Sequence, residues 1–410
     1  MIVCLRVPLF DDSNLKKITH EKFQFLLFLC CNLLILMAFL IPIIRRRRRQ
    51  YRVRRRISSA ELTDAELKLN TRLTRYQYNY LLERVGPLIA SESNSELTIS
   101  ADTKLLAVLE FLATGLFQWA VCQSWGFSQG MMSKFIGQVV EAINSLQPEF
   151  VHLPNEEELI QLADGFRRHN RLPDIIGCID GTLIRVQSPH EDEAAFVDRK
   201  GNHSINVTLI CDINMRIWYV NAQWPGSVHD QAVFDMSVLK QRFDENYFGT
   251  YKLIGDRGYR LQPYLLTVYR APATILQIRF NAMITETRTV IERCIGLLKG
   301  RWRCLHATGG EFVYTPGKVC RFTLAACILH NLCLLSEDGI VAHDPAAAGL
   351  IVGEDPPNHA EGDDPAADVL NGRDEYVQAH SGVILTWRRY VLLQRRNRNR
   401  RRQNRRQRRM

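Results

Sequence analysis

Hydrophobic positions along this chain recur at two spacings, and the changeover falls near residue 173. Before it the period is helical. Residues 57–95 set Leu62, Leu69, Leu73, Tyr76 and Tyr80 at helical intervals among polar residues. The stretch 99–115 keeps that period, with Ser100 or Asp102 placed to cap its start and Gly115 to stop it. Residues 117–144 then read as helix, short turn at 126–128, and second helix. That is helix-turn-helix spacing, and it would expose Gln129, Ser133 and Lys134 on the second helix for DNA contact. A helical hairpin packed into a core gives the same pattern, so both readings stand.

From residue 173 onward, short apolar runs read as strands. One covers 173–187 and carries Asp180 in its middle; two more, 204–212 and 216–226, form a hairpin around Asn214. Residues 229–243 read as a helix, 250–256 as a buried strand, and 273–280 as a further strand candidate. A helix over 286–302 clusters Val290, Ile291, Ile295, Leu297 and Leu298 on one side, and 321–335 closes the globule as a buried helix. The order β-β-β-α-β-(β)-α predicts an α/β fold, a mixed sheet flanked by helices, preceded by an all-helical region resembling a helix-turn-helix.

Length and charge refine this layout. At 410 residues and 46% hydrophobic, the chain can bury a large core, and its length suits two domains plus tails. The expected organisation is a hydrophobic segment with an arginine-rich arm (1–56), a helical region (57–150), an α/β domain (151–335), an acidic linker expected to be disordered (336–387) and an arginine-rich tail (388–410). A short helix is expected at 383–393, leading into that tail. The formal charge of +10 hides a strong segregation. Residues 45–56 carry nine arginines and 388–410 twelve, whereas 336–375 set eleven acids against one arginine. Positive charge therefore resides in arms, which serve as handles for phosphate backbones or as nuclear-import signals. Eleven scattered cysteines without a paired spacing argue for a reducing compartment. Residues 25–44 are apolar enough to span a bilayer. The preferred reading is that translation begins at Met37, which removes the span and fits a nuclear protein; a membrane anchor is the lesser reading.

Four acids carry the chemistry. Asp180, Asp230 and Asp256 each follow an apolar run that reads as a strand, and Glu292 lies on the amphipathic helix. An unpaired carboxylate in such a strand costs several kcal/mol to bury, so Asp180 requires a cation, a hydrogen-bond network or a solvated edge. Taken singly, Asp230 also reads as a helix cap and Glu292 as a salt-bridged surface residue. Taken together, carboxylates in this order suit hard divalent cations, as in phosphodiester hydrolysis. Arg293 and Lys299, one and seven residues after Glu292, are candidates to face phosphate.

Across residues 98–335 the chain resembles the PIF/Harbinger-superfamily transposases and the nucleases derived from them. The matching segments are GCIDGT, HSINV, WPGSVHD, GDRGY, RTVIERCIGLLKGRW and ACILHNLC. The resemblance implies a ribonuclease H-like fold and a DDE-type site with Asp180, Asp256 and Glu292 catalytic. It also implies Mg²⁺ or Mn²⁺ held by those three with Asp230 as a fourth ligand, DNA as substrate, and a Myb/SANT-type protein partner. No small-molecule cofactor is implied. The chain departs from the family pattern at 280–284, where Phe280, Asn281, Ala282, Met283 and Ile284 replace a Tyr-Asn and basic-His-Ser stretch, and at Arg257, where a small residue is common. A domesticated DNA-binding or scaffold protein, keeping the fold without catalysis, is the competing reading.

Overall fold

The computed structural model describes residues 57–91, 98–335 and 367–387. The apolar segment 25–44, the Met37 question, the arginine arm, the arginine tail and residues 336–366 of the acidic segment lie outside the described residues. Among the described residues no helix is long and apolar enough to cross a membrane.

The helical half follows its capping chemistry. Thr63, Thr74 and Ser100 each accept a backbone N–H at the start of helices Asp64–Thr71, Arg75–Ile89 and Ala101–Thr114. Gly115 ends the last of these in the left-handed conformation at φ 69°. Gly126, also at φ 69°, separates helix Gln118–Trp125 from helix Gln129–Asn144, which Ser128 caps. That second helix buries Met132, Phe135, Ile136 and Val139.

Five strands form one mixed sheet in the order β3-β2-β1-β4-β5. β1 is Ile175–Arg185, β2 Ser204–Cys211, β3 Ile217–Pro225, β4 Lys252–Ile254 and β5 Leu265–Leu266. β1 pairs antiparallel with β2 and parallel with β4. Alternation along the strands sorts side chains between the two faces. Cys178, Leu209, Cys211 and Ile254 join a core continuous with the helical half, the long helix Ile275–Arg301 and helix Pro316–Leu332. Ile179, Ile210 and Leu253 face the opposite way, onto Phe234, Leu239, Phe243 and Tyr259. Gln77 of the helical half donates to the carbonyls of Cys333 and Leu335, fastening that half to the end of helix Pro316–Leu332.

Three expectations are corrected. Residues 273–280 are not a strand: Thr274 and Gln277 form a capping box, and the 27-residue helix Ile275–Arg301 begins there. The fifth strand is Leu265–Leu266 instead. Residues 229–243 break into two helices, Asp230–Asp235 and Val238–Asp244, because Ser237 starts a new cap. Within the segment expected to be disordered, Ala367–Ala379 is helical and residues 381–387 are helical again. Buried Tyr376, Val377, Ile384 and Trp387 anchor this piece, and Tyr376 Oη donates to the Pro173 carbonyl at 2.8 Å. Four apolar side chains at near-helical spacing outweigh the polar composition around them.

The β2–β3 turn supplies a pH test. Asp212 is buried and accepts from the backbone N–H groups of Asn214 and Arg216 at 2.8 and 2.9 Å. Burial pushes its carboxyl up to about 6, against the pull of those N–H groups. An unfolded Asp titrates near 3.9, so the native state holds this proton longer and its contribution to stability falls as pH rises from about 4 to about 6. Asp212→Asn keeps the acceptor and removes the charge. Its stability relative to the native chain should rise by about 1–3 kcal/mol between pH 4 and pH 8. Urea midpoints at the two pH values check this, and a pH-independent difference contradicts it.

Candidate active site

The strand register brings the first two acids together. Cys178 of β1 pairs with Ile254 of β4, and the strands run parallel. Asp180 and Asp256 each lie two residues beyond that pair. Asp180 remains within β1 and, with a side-chain period of two, shares the face of Cys178, while Asp256 lies two residues past the last residue of β4. The charges of both act on Arg288 and on Tyr259. A Cβ on Gly255 would lie 3.1–3.3 Å from the side chains of Tyr259, Leu265 and Ile179, so this position is tightly packed. Asp256 is buried and accepts from Gly258 N at 2.9 Å, which fixes the turn leading out of the sheet.

The long helix crosses the same face. Cys178 Sγ donates to the Thr287 carbonyl at 3.8 Å, which brings the next turns of the helix over Asp180. Arg288 Nη2 bonds Asp180 Oδ2 at 3.0 Å, and Arg288 Nη1 lies 3.5 Å from Glu292 Oε1, one turn further on. Glu292 therefore has the salt-bridge partner expected of it, and that partner also binds Asp180.

Asp230 arrives from the other face. His229 is the cap of its helix, with no side-chain cap bond, and Asp230 is the first helical residue. Its carboxylate is directed inward and accepts from Asn206 Nδ2 at 2.7 Å. It rests where a side chain on residue 181 would be: a Cβ on Gly181 would lie 2.1 Å from Asp230 Oδ1. The missing side chain beside Asp180 is thus the opening that admits the fourth acid. Gln231 Oε1 accepts from Arg260 N at 2.6 Å, which ties this helix to the turn after Asp256.

Electrostatics record the convergence. Burial pushes the Asp230 carboxyl above its ordinary range; the Asn206 amide opposes this and the Asp256 charge adds to it. Burial works against the Arg288 charge, yet Asp180, Asp256 and Glu292 outweigh it and hold the guanidinium above its usual value. Buried Tyr259 is driven well up by burial and by Asp230, Asp180 and Asp256. Its hydroxyl, the Asn206 Oδ1 and the Arg288 Nε are buried without a hydrogen-bond partner.

The four acids supply hard oxygen donors and no sulfur, the chemistry that a divalent hard cation takes. A cation already sits among them, since Arg288 spans Asp180 and Glu292. As placed around it, no three His, Cys, Asp or Glu side chains among the described residues are gathered closely enough to hold an ion.

The other residues singled out from the sequence lie elsewhere. Gln129, Ser133 and Lys134 are exposed on helix Gln129–Asn144. Exposed Arg293 directs Nη2 to Met215 Sδ at 3.9 Å, by the β2–β3 turn. Lys299 Nζ donates to the Leu183 carbonyl of β1 at 3.0 Å. Arg288, Asn206 and Tyr259 join the acids only through the fold. Arg288 had one available signal, its position four residues before Glu292 on a helix; the other two depend on tertiary contacts.

Comparison with known proteins bears on this geometry. The family described as "DDE superfamily endonuclease" matches residues 179–331, which contain all four acids. The chain is 33% identical over 324 residues to "Putative nuclease HARBI1" of Rattus norvegicus, covering 79% of this chain and 91% of that protein. The Homo sapiens protein of the same name is 32% identical over 337 residues, 81% of this chain and 95% of its own length. "Protein ALP1-like" of Arabidopsis thaliana is 24% identical over 300 residues, 67% of this chain and 72% of the relative. No solved structure matches at a significant level.

Proposed function

Because the chain belongs to the Harbinger transposase-derived nucleases of the DDE endonuclease superfamily, we propose that it is a divalent-metal-dependent DNA endonuclease that hydrolyses phosphodiester bonds by a two-metal mechanism. One observation carries this reading. The register of β1 on β4 leaves Asp180 and Asp256 each two residues past the Cys178–Ile254 pair, and Arg288 of the long helix bonds both Asp180 and Glu292. The five-stranded order is taken as a ribonuclease H-like sheet.

In this reading Asp180, Asp256 and Glu292 hold Mg²⁺ or Mn²⁺, and Asp230 completes the ligand set through the gap at Gly181. When bound, such ions acidify an attacking water and stabilise the leaving 3′-oxygen. The chain's own contributions are positional. The Gly258 N–H holds Asp256 in one orientation, and Asn206 fixes Asp230 by donating to one oxygen. Arg288 links Glu292 to Asp180 across the packing of the long helix on the sheet. Gln129, Ser133 and Lys134 are assigned to DNA contact, together with the arginine arms, which also suit nuclear import. Arg293 and Lys299 are assigned to phosphate, with Lys299 leaving the Leu183 carbonyl to reach it.

The test is nicking of supercoiled DNA by the full chain. Mg²⁺ or Mn²⁺ should support cleavage and a chelator should abolish it. Cleavage unaffected by chelation, or none with either ion, overturns the proposal. The pairing of Arg288 with Asp180 and Glu292, which neutralises acids without an ion, favours one second reading: a DNA-binding or scaffold protein without catalysis. DNA binding without cleavage in this assay is the outcome that selects it.

A further inference from the structure

We propose that Arg288 is the resident counter-ion of the acidic site, and that a divalent cation binds by displacing it from Asp180 and Glu292. This rests on the metal-site reading above and adds a regulatory element to it: metal and the chain's own arginine compete for the same carboxylates.

The two Arg288 terminal nitrogens take one oxygen each from Asp180 and Glu292, at 3.0 and 3.5 Å. Asp180 and Glu292 belong to the proposed ligand set, and a guanidinium cannot remain between them and an incoming dication without strong like-charge repulsion. The side chain is mostly buried, at 16% exposed, so solvent screens the pairing less than a surface ion pair. The carboxylates stand on rigid elements, Asp180 on β1 and Glu292 mid-helix. Arg288 reaches them through a flexible stem, so the arginine is the part able to move. Its parked position is also incompletely satisfied, since Nε is buried without an acceptor. That unmet donor lowers the cost of leaving.

Without metal, the arginine offsets the charges of Asp180, Glu292 and Asp256. With metal, it is released toward the site's rim, where it is free to meet a phosphate. Arg288 is on this account a positioning residue, and it sets the metal concentration at which the site loads.

The experiment is calorimetric Mn²⁺ titration of the full chain at pH 7.5, with thermal melts in chelator and in Mn²⁺. Arg288→Gln should bind Mn²⁺ roughly ten- to a hundredfold more tightly than the native chain, the size expected on removing a competing charge-assisted bond. It should melt lower in chelator and recover more on adding Mn²⁺. Arg288→Lys, which keeps charge but loses the fork, should fall between. If Arg288→Gln fails to fold, Arg288→Lys decides, and affinity no tighter than native overturns the proposal. Asp256→Asn separates the two levels. If it weakens Mn²⁺ binding while Arg288→Gln binds no tighter, the arginine proposal falls alone. If no protein binds Mn²⁺ in an Asp256-dependent manner, the metal reading falls and takes this proposal with it.

Discussion

Asp256→Asn should reduce metal-dependent nicking by at least on the order of 10²–10³-fold, the loss that follows removal of one preorganised charged or polar group from an active site. The fold should survive. Asparagine has the same shape, and its carbonyl oxygen can still accept from Gly258 N, the bond Asp256 makes at 2.9 Å. What disappears is a negative charge, buried two residues past β4 and acting on Asp230 and Arg288. Two secondary effects follow. Asp230 loses a like-charged neighbour, and Arg288 loses one of its three attracting acids. The variant should therefore melt close to the native chain in chelator while gaining little from Mn²⁺. Supercoiled-plasmid nicking with parallel melts checks both, and native-like cleavage by the variant contradicts the assignment.

Gly181→Ala should be nearly as damaging, although it adds a single methyl group and touches no charge. The new Cβ would lie 2.1, 2.4 and 2.7 Å from Asp230 Oδ1, Cγ and Oδ2. Real Cβ atoms do not approach so closely, and the obstacle is not the free end of a flexible chain. Asp230 opens a helix and is held by Asn206, which is itself fully buried on β2 and bonded to the Val228 carbonyl at 2.8 Å. The clash must therefore shift the helix start or turn the carboxylate away. Overpacking of this kind costs about 1–3 kcal/mol of stability. Misplacing a reacting group by about 1 Å costs on the order of 10²-fold in rate. Nicking rates and urea midpoints for Gly181→Ala measure the two effects separately. A variant with native activity would show that Asp230 need not lie over residue 181.

Both predictions come from residues whose importance was unequally visible in the sequence. Asp180 and Asp256 stood out because a carboxylate inside or ending an apolar run is costly unless something pairs it. The helices of the first half were legible from local chemistry, with Ser100, Gly115 and Gly126 in capping positions. The start of the long helix reads as a strand because Ile275, Ile278 and their neighbours have β-branched, strand-like composition. Yet Ile275 and Ile278 are the exposed positions, and Leu276 and Phe280 face inward, a helical arrangement that the Thr274–Gln277 capping box announces. The two-residue strand Leu265–Leu266 is too short for any periodicity to register. The helix at 367–379 was hidden by acidic composition, which outweighed its few apolar anchors. Arg288 joins residues 108 apart when it bonds Asp180, and Asn206 is 24 residues from Asp230. Such pairings arise from topology, and no local pattern encodes them.

The most direct test is a Mn²⁺-soaked crystal of the full chain, read by anomalous scattering. The account predicts a peak bounded by Asp180, Asp256 and Glu292, within reach of Asp230, with the Arg288 guanidinium withdrawn from between the carboxylates. A map in which Arg288 stays on Asp180 and Glu292, with no anomalous density among the four acids, would contradict it.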